Sequence, residues 1–400
     1  MAVRHEAEVR LHGRRVGVLT YMDGGSSFSY EDDLTSADHR PLGQIFEDDP
    51  GKIRIARVGV PPWFANLLPE GELRKQVVRE MGDVNVGDFT LLLRLGANLP
   101  GAVTIYSAEE PVDDVTDEGN DLASPDHPIR HSLAGIQLKY SVHGDRLTFP
   151  ASGDKAWWIA KLPDRSLKDL CLNEYLTMRW LRESGMNVPE VQLVPASAVG
   201  GIPEGLVDPA DLVYLIKRFD RSPTGRVHVE DFAQVADVPP IFKYDQNGVT
   251  YDTLAEAILS FAGGAGYVEY IERLVAILVI GNIDGHLKNW AVIYSDGRTP
   301  SLAPVYDFHC LTIYGRYRYS PLAFSLGGES MSASVYMDNF RQLAENVGLD
   351  PERTVQIVRN AVARMRDAWS GDVKAEANAR YQELAAHFMA RLNTLPICTD

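Results

Sequence analysis

Leu274-Val275-Ala276-Ile277-Leu278-Val279-Ile280 runs directly into Gly281-Asn282-Ile283-Asp284-Gly285-His286-Leu287-Lys288-Asn289-Trp290. The first part is an apolar run that belongs against a core, and the second is dense in ionisable and amide groups. Burying such groups without partners is unfavourable. The stretch is therefore either a polar loop after a core helix or a working site, and Asp284 and Asn289 frame it.

Downstream, Trp290–Tyr294, Ser295-Asp296-Gly297-Arg298 and Ser301–Tyr306 read as strand, Asp-Gly turn and strand. The hairpin would return the chain so that Asp307 comes close to the position opposite Asn289. An amide oxygen and carboxylates are hard ligands that suit Mg²⁺, which takes few protein ligands and completes its shell with water and phosphate oxygens. A catalytic Asp, an Asn five residues later and a further Asp across a hairpin form the layout of a protein-kinase-like phosphotransferase. In it, Asp284 accepts or orients the proton of the substrate hydroxyl, while Asn289 and Asp307 hold metal ions. The spacing alone is weak, since an Asp followed five positions on by Asn occurs about once by chance in a chain of this size.

Upstream residues fill in the layout. Lys161 ends the strand-like Trp157-Trp158-Ile159-Ala160, where a phosphate-binding lysine belongs, and precedes a helix over 170–183 that carries Glu174. Taken singly, Lys161 reads better as a strand-edge charge with a snorkelling stem, and Glu174 reads equally as an acid complementing the helix dipole. Ser132 to Lys139 is a loop with Ala134 and Gly135 whose backbone N–H groups can approach phosphates, although it is neither GxGxxG nor a Walker A sequence. Lys217-Arg218-Phe219 closes a strand in the position of a kinase hinge, where backbone groups pair with adenine.

Composition limits the alternatives. The 400 residues are 45% hydrophobic and 24% charged, ordinary for a folded chain that is long enough for several subdomains. Lysine and arginine number 39 against 55 acids, a formal charge of −16, which opposes direct non-specific binding to nucleic acid. Cys171, Cys310 and Cys398 are odd in number and widely spaced, so neither a disulfide framework nor a structural zinc site is expected. With no leader-like start and no run of membrane-spanning length, the reading is cytoplasmic, with no membrane partner.

The organisation follows from patterning. Residues 7–31 alternate around glycine turns as a hairpin and a third strand, followed by helices over 72–81 and 88–95. Between Ala108 and Pro128 the chain carries acids and no lysine or arginine, which reads as a solvated linker. Strands are expected at 147–149, 157–161, 191–194, 197–200 and 212–219, and helices at 254–261, 267–280, 337–347, 351–368 and 374–395. The predicted division is an N-terminal unit 1–107, a linker 108–128, a nucleotide-binding region 129–230 and a helical lobe 231–400 holding the catalytic loop and metal-binding hairpin.

The segments SLAGIQLK, WWIAKLPD, NEYLTMRWLRESGMNVPEV, YLIKRFDR, GNIDGHLKNWAV and LAPVYD, in this order, resemble the HipA family of bacterial serine/threonine kinases, the toxin halves of toxin-antitoxin pairs. WFANLLPEG and LLLRLGANLPGAV are similar to that family's N-terminal subdomain, so the likeness extends from about residue 6 to about 310. The resemblance implies an α+β, protein-kinase-like two-lobed fold with an extra N-terminal α+β subdomain and an all-helical C-terminal lobe. It implies ATP and Mg²⁺ as cofactors and a protein serine or threonine as acceptor. By position, Asp284 becomes the catalytic aspartate, Asn289 and Asp307 the Mg²⁺ ligands, and Lys161 a contact to nucleotide phosphates. Ala134, Gly135, Ile136, Gln137, Leu138 and Lys139 become the nucleotide loop, and Lys217, Arg218 and Phe219 line the adenine. His286, Lys288 and Tyr306 sit beside the nucleotide, with His286 equally readable as a buried structural histidine. Ser132 falls at the autophosphorylation site, where modification expels the loop and silences the enzyme.

The family's partners would be a small helix-turn-helix antitoxin (HipB-like), through which DNA is mainly contacted, and a protein substrate such as an aminoacyl-tRNA synthetase, whose modification halts translation and favours dormancy. Leu138 and Lys217 depart from the family's usual residue types, and Asp307 is followed by Phe308-His309 without a glycine. Two other readings share these residues: a small-molecule or lipid kinase, and a non-catalytic partner of a DNA-binding repressor.

Overall fold

The computed structural model describes residues 4–31, 33, 36, 38–82, 86–109, 139–143, 156–199, 202, 205–244 and 248–399. Most of the acidic stretch, the expected strand at 147–149, and Ser132 through Leu138 lie outside the described residues. The chain divides into two compact units, one of residues 1–162, 194–241 and 291–299, the other of residues 163–193, 242–290 and 300–400.

In the first unit, strands His5–Leu11, Arg14–Met22, Gly25–Tyr30, Arg54–Ala56 and Val103–Ser107 form an antiparallel sheet. The two hairpins close through His12-Gly13 and Asp23-Gly24, all four residues at positive φ. That is the mirror-image turn whose twist matches paired strands. Alternation buries Ala7, Val9 and Leu11 on one face. Phe28, Phe46, Trp63 and Phe64 close the core, with Phe28 and Phe64 centroids 4.7 Å apart. A second sheet holds Lys139–His143, Ala156–Lys161 and Leu212–Lys217 in that order, with Lys139 opposite Lys161 and Lys161 opposite Tyr214. His228–Asp231 pairs antiparallel with Ala291–Tyr294.

Within this unit the N-terminal sheet and the segment 218–238 are joined by polar contacts. Arg218 and Arg221 converge on Asp220, which also accepts from the Gly101 N–H at 2.9 Å. Asn66 Nδ2 donates to the Val238 carbonyl, and His228 Nε2 bonds the Leu42 carbonyl. Glu230, fully buried, accepts from Tyr294 Oη (2.6 Å), the Gln44 N–H (3.0 Å) and Trp63 Nε1 (3.3 Å). Burial pushes its carboxyl up to about 7, against the pull of those three donors.

The sign of the consequence is fixed by linkage. Between the ordinary 4.5 and about 7, the folded chain binds this proton more tightly than the unfolded chain does. Stability should therefore fall as pH rises through that window, by up to about 3 kcal/mol. Urea unfolding midpoints measured across the window for wild type and Glu230→Gln check this: the fall should be largely missing in the variant.

The second unit is helical. Tyr251–Ile280 begins at a Thr250 capping box and is interrupted by the non-helical backbone of Gly263 (φ 61°, ψ −162°), so that two helices meet at a kink, in keeping with the two spans expected at 254–261 and 267–280. Leu170–Glu183, Met337–Asn346 and Pro351–Ala368 follow the expected spans closely. The long C-terminal helix expected over 374–395 is two helices, Asp372–Arg380 and Gln382–Thr394, because Tyr381 takes a non-helical backbone (φ −150°, ψ 69°) between them. Trp180, Trp369 and Phe388 pack as a buried triad, with the indole centroids 4.6 Å apart and Trp180 Nε1 donating to the Met365 carbonyl.

Two strand expectations are corrected. The described residues of the strand expected over 197–200 join no ladder: Ala196–Ala198 is a 3₁₀ turn, stabilised by local backbone bonding. The return strand after Asp296-Gly297 is only Ser301–Leu302, because the turn is wider than two residues. Asp296 accepts from the N–H groups of Arg298 and Thr299 and so folds the following residues back on itself.

Candidate active site

The site grows from the end of the Tyr251–Ile280 helix. Gly281 lies at φ 80°, and the Gly281 and Asn282 N–H groups both reach the Ile277 carbonyl, which terminates the helix in a left-handed cap. Arg391 Nε donates to the carbonyls of Leu278 and Val279, capping the remaining orphan acceptors. Beyond the cap, the loop is built from its own backbone. Asp284 N donates to Asn282 Oδ1, and the Asp284 carbonyl accepts from the His286 N–H at 2.8 Å and from Asn289 Nδ2 at 2.6 Å. The Gly285 carbonyl accepts from Trp290 Nε1 and Tyr251 Oη.

The Asn289 bond decides the chemistry that side chain can offer. Its nitrogen is spent on the Asp284 backbone, so its oxygen is the atom left for a cation. Leu287–Asn289 forms the 3₁₀ turn that sets this geometry, and Asn289 is buried. Tyr306 Oη donates to the Lys288 carbonyl at 2.9 Å, tying the approach to Asp307 onto the same turn.

Asp307 has φ 59°, a left-handed conformation that aspartate tolerates better than most residues and that clusters at functional sites. The residues after it are held from two sides. The Gly281 carbonyl accepts from the N–H groups of Leu311 (3.1 Å) and Thr312 (3.3 Å). Asn173, on the Leu170–Glu183 helix, clamps Cys310: Oδ1 accepts its N–H and Nδ2 donates to its carbonyl, both at 2.8 Å. Asn173→Leu should strand both buried backbone groups and lower stability by about 2–4 kcal/mol, read as a shift of the urea midpoint, with Thr177→Val as a milder control.

Burial raises the Asp284 carboxyl above its ordinary value; the bond from Tyr244 and the charges of His309 and Lys243 oppose that, and Asp307 adds to it. Tyr244 Oη donates to Asp284 Oδ1 at 2.5 Å. The second unit thus brings together Asp284, His286, Lys288, Asn289, Tyr306 and Asp307.

The other expected residues belong to the first unit, to the Leu170–Glu183 helix, or lie outside the described residues. Lys161 is buried in the first unit with its Nζ over the Tyr214 ring at 5.6 Å, and Lys139 stands opposite it in register. Lys217 is exposed at the end of its strand and Phe219 half-buried. The Arg218 guanidinium binds Asp220 through Nε and a terminal nitrogen, so that side chain is engaged in the polar seam described above. Glu174 is buried on the Leu170–Glu183 helix of the second unit. Ala134, Gly135, Ile136, Gln137, Leu138 and Ser132 lie outside the described residues.

Sequence reasoning missed Tyr244 and Asn173. Asn173 leaves a faint signal, a polar residue on the apolar face of its helix with Thr177 one turn on. Tyr244, in the polar Lys243-Tyr244-Asp245-Gln246-Asn247, leaves none.

The donor set fits a hard divalent ion. Among the described residues no group of three or more His, Cys, Asp or Glu could hold a metal by itself. An amide oxygen and a carboxylate suit an ion that takes most of its ligands from phosphate and water. No described helix is long and apolar enough to cross a membrane.

The fold is α+β and kinase-like, a class that a solved structure supports independently of sequence. The Shewanella oneidensis HipA, determined with HipB and operator DNA, superposes at a TM-score of 0.73 over 98% of this chain and 99% of that one, at 19% identity. Residues 7–106 match the HipA N-terminal domain and residues 131–369 the HipA-like C-terminal domain. The chain belongs to the HipA family of kinases. It is 37% identical over 378 residues to Y4dM of Sinorhizobium fredii, which is named as a kinase, covering 92% of each. It is also 22% identical over 324 residues to the serine/threonine-protein kinase toxin HipA of Shewanella oneidensis, covering 72% of this chain and 71% of that protein.

Proposed function

We propose that the chain is an ATP- and Mg²⁺-dependent protein serine/threonine kinase, the toxin of a toxin-antitoxin pair with a small helix-turn-helix antitoxin. The observation that carries the kinase reading is the Asn289 amide bonded to the Asp284 backbone. It orients one oxygen ligand and the catalytic loop together, in the same unit as Asp307. Mg²⁺ and ATP, when bound, supply charge neutralisation and the transferable phosphoryl group; Asn289 Oδ1 and the Asp307 carboxylate would hold the metal.

The chain's own residues do the rest. Asp284, raised by burial, takes the proton of the acceptor hydroxyl at Oδ1 or Oδ2. Tyr306 and the Gly281 cap fix the two metal-binding residues on one backbone frame. The proposed nucleotide contacts are Lys161, Lys139 and residues 134–138 and 217–219 of the first unit, and His286 and Lys288 of the second. The division into 1–107, 108–128, 129–230 and 231–400 belongs to this proposal, as do Ser132 autophosphorylation, cytoplasmic location and a translation component such as an aminoacyl-tRNA synthetase as target. The HipA–HipB–DNA complex of the structural neighbour supports the antitoxin partner.

Quantitative phosphoproteomics after expression of wild type and Asp284→Asn tests the reading. A serine or threonine site that rises only with wild type is expected, and no difference between the two would refute kinase function. Co-purification of a small DNA-binding protein tests the partnership separately.

A further inference from the structure

Asp284 already has an acceptor-like hydroxyl on it. Tyr244 Oη donates to Asp284 Oδ1 at 2.5 Å, the contact a substrate hydroxyl makes with a kinase's catalytic carboxylate. The phenol is held there rather than passing by. The Lys243 carbonyl, one residue away, accepts from the Leu287 N–H of the catalytic loop at 3.1 Å. The Tyr244 ring meets His286 edge-on, with centroids 5.0 Å apart. The residue is nonetheless 38% exposed, so it can leave without unpacking a core. Its neighbours Ile241 and Phe242 are exposed as well.

We propose that Tyr244 is an intramolecular phosphoryl acceptor of this chain, an inference that rests on the kinase reading above. In the transfer, Tyr244 Oη forms a bond to the γ-phosphorus of ATP as the bond from that phosphorus to the β,γ-bridging oxygen breaks. The phenol proton passes to Asp284, and ADP leaves. The product places a phosphate dianion beside the Asp284 carboxylate, which already feels Asp307 and is offset by Lys243 and His309. Like-charge repulsion then drives the modified tyrosine off Asp284 and frees the carboxylate for an external hydroxyl. Tyr244 thereby delays attack on other acceptors until it has been consumed.

The test uses the full chain after phosphatase treatment, incubated with ATP and MgCl₂, with ADP release followed in time and phosphosites mapped by mass spectrometry. Expected is a stoichiometric phosphate on Tyr244 in wild type, formed at a rate independent of protein concentration, and none in Asp284→Asn. Tyr244→Phe, checked for an unchanged urea midpoint, should lose the stoichiometric burst of ADP and modify serine or threonine sites without a lag. Phosphate on other residues with Tyr244 unmodified would overturn the inference while leaving the kinase assignment standing. So would modification whose rate rises with protein concentration, which marks transfer between molecules. Neither ADP nor phosphate on any residue would instead overturn the kinase assignment itself, and the inference with it.

Discussion

Asp284→Asn is expected to abolish phosphoryl transfer while leaving the molecule folded. The substitution keeps the shape of the side chain and can still take a bond from Tyr244, but it removes the group that accepts the hydroxyl proton. General-base contributions of this kind are worth about 10²–10⁴-fold in rate. The backbone contacts that build the loop, from Asn289 Nδ2 and the His286 N–H to the Asp284 carbonyl, do not involve the substituted atoms. Folding should therefore stay at or above wild-type stability, because replacing a carboxyl raised by burial with a neutral amide removes a buried charge. ATP turnover and the urea midpoint, measured on the same preparation, separate the two effects. A large fall in stability together with the lost activity would mean that Asp284 is structural.

The largest stability effect should come from Gly281. At φ 80° it sits where an L side chain is strained, and a Cβ built there falls 2.1 Å from Thr312 Oγ1 and 3.2 Å from the Arg391 guanidinium carbon. Neither neighbour can yield freely. Thr312 Oγ1 is bonded to His387 Nε2 at 2.9 Å, and Arg391 caps the carbonyls of Leu278 and Val279. Left-handed strain costs about 1–2 kcal/mol, and forced displacement in a packed interior adds about 1–3 kcal/mol. Gly281→Ala should thus lower unfolding stability by about 2–5 kcal/mol. Activity at a temperature where the variant remains folded should also drop, because the Gly281 carbonyl holds Leu311 and Thr312 and through them the segment after Asp307. A variant with wild-type midpoint and wild-type turnover would show that the cap is not needed.

Much of this was legible in the chain. The continuous apolar run 274–280 and the polar stretch after it read as a core helix ending in a loop. The Leu170–Glu183 helix has the bounds its pattern predicts, and the hairpins at His12-Gly13 and Asp23-Gly24 follow from turn chemistry. Asp284, Asn289 and Asp307 were selected by residue type and spacing because kinase chemistry needs a base and hard oxygen ligands. Those are local properties, set by the dihedral preferences and side-chain chemistry of residues near one another in sequence.

Other features depend on residues far apart in sequence meeting in space. Asn173 clamps Cys310 across 137 residues, Glu230 gathers Gln44, Trp63 and Tyr294, and Arg218 closes on an Asp220 that also holds Gly101. The break of the C-terminal helix at Tyr381 carries no proline or glycine to announce it. In each case a polar group loses water on burial and must be repaid by whichever donor or acceptor the packing delivers, and no local pattern encodes that choice. The sequence by itself determined the loop, its ligand types and the family likeness. Only the tertiary structure decided that Asn289 bonds the Asp284 backbone through its amide nitrogen, that Gly281 admits no side chain, and that a tyrosine bonds Asp284, because each is set by distances that the chain order leaves open.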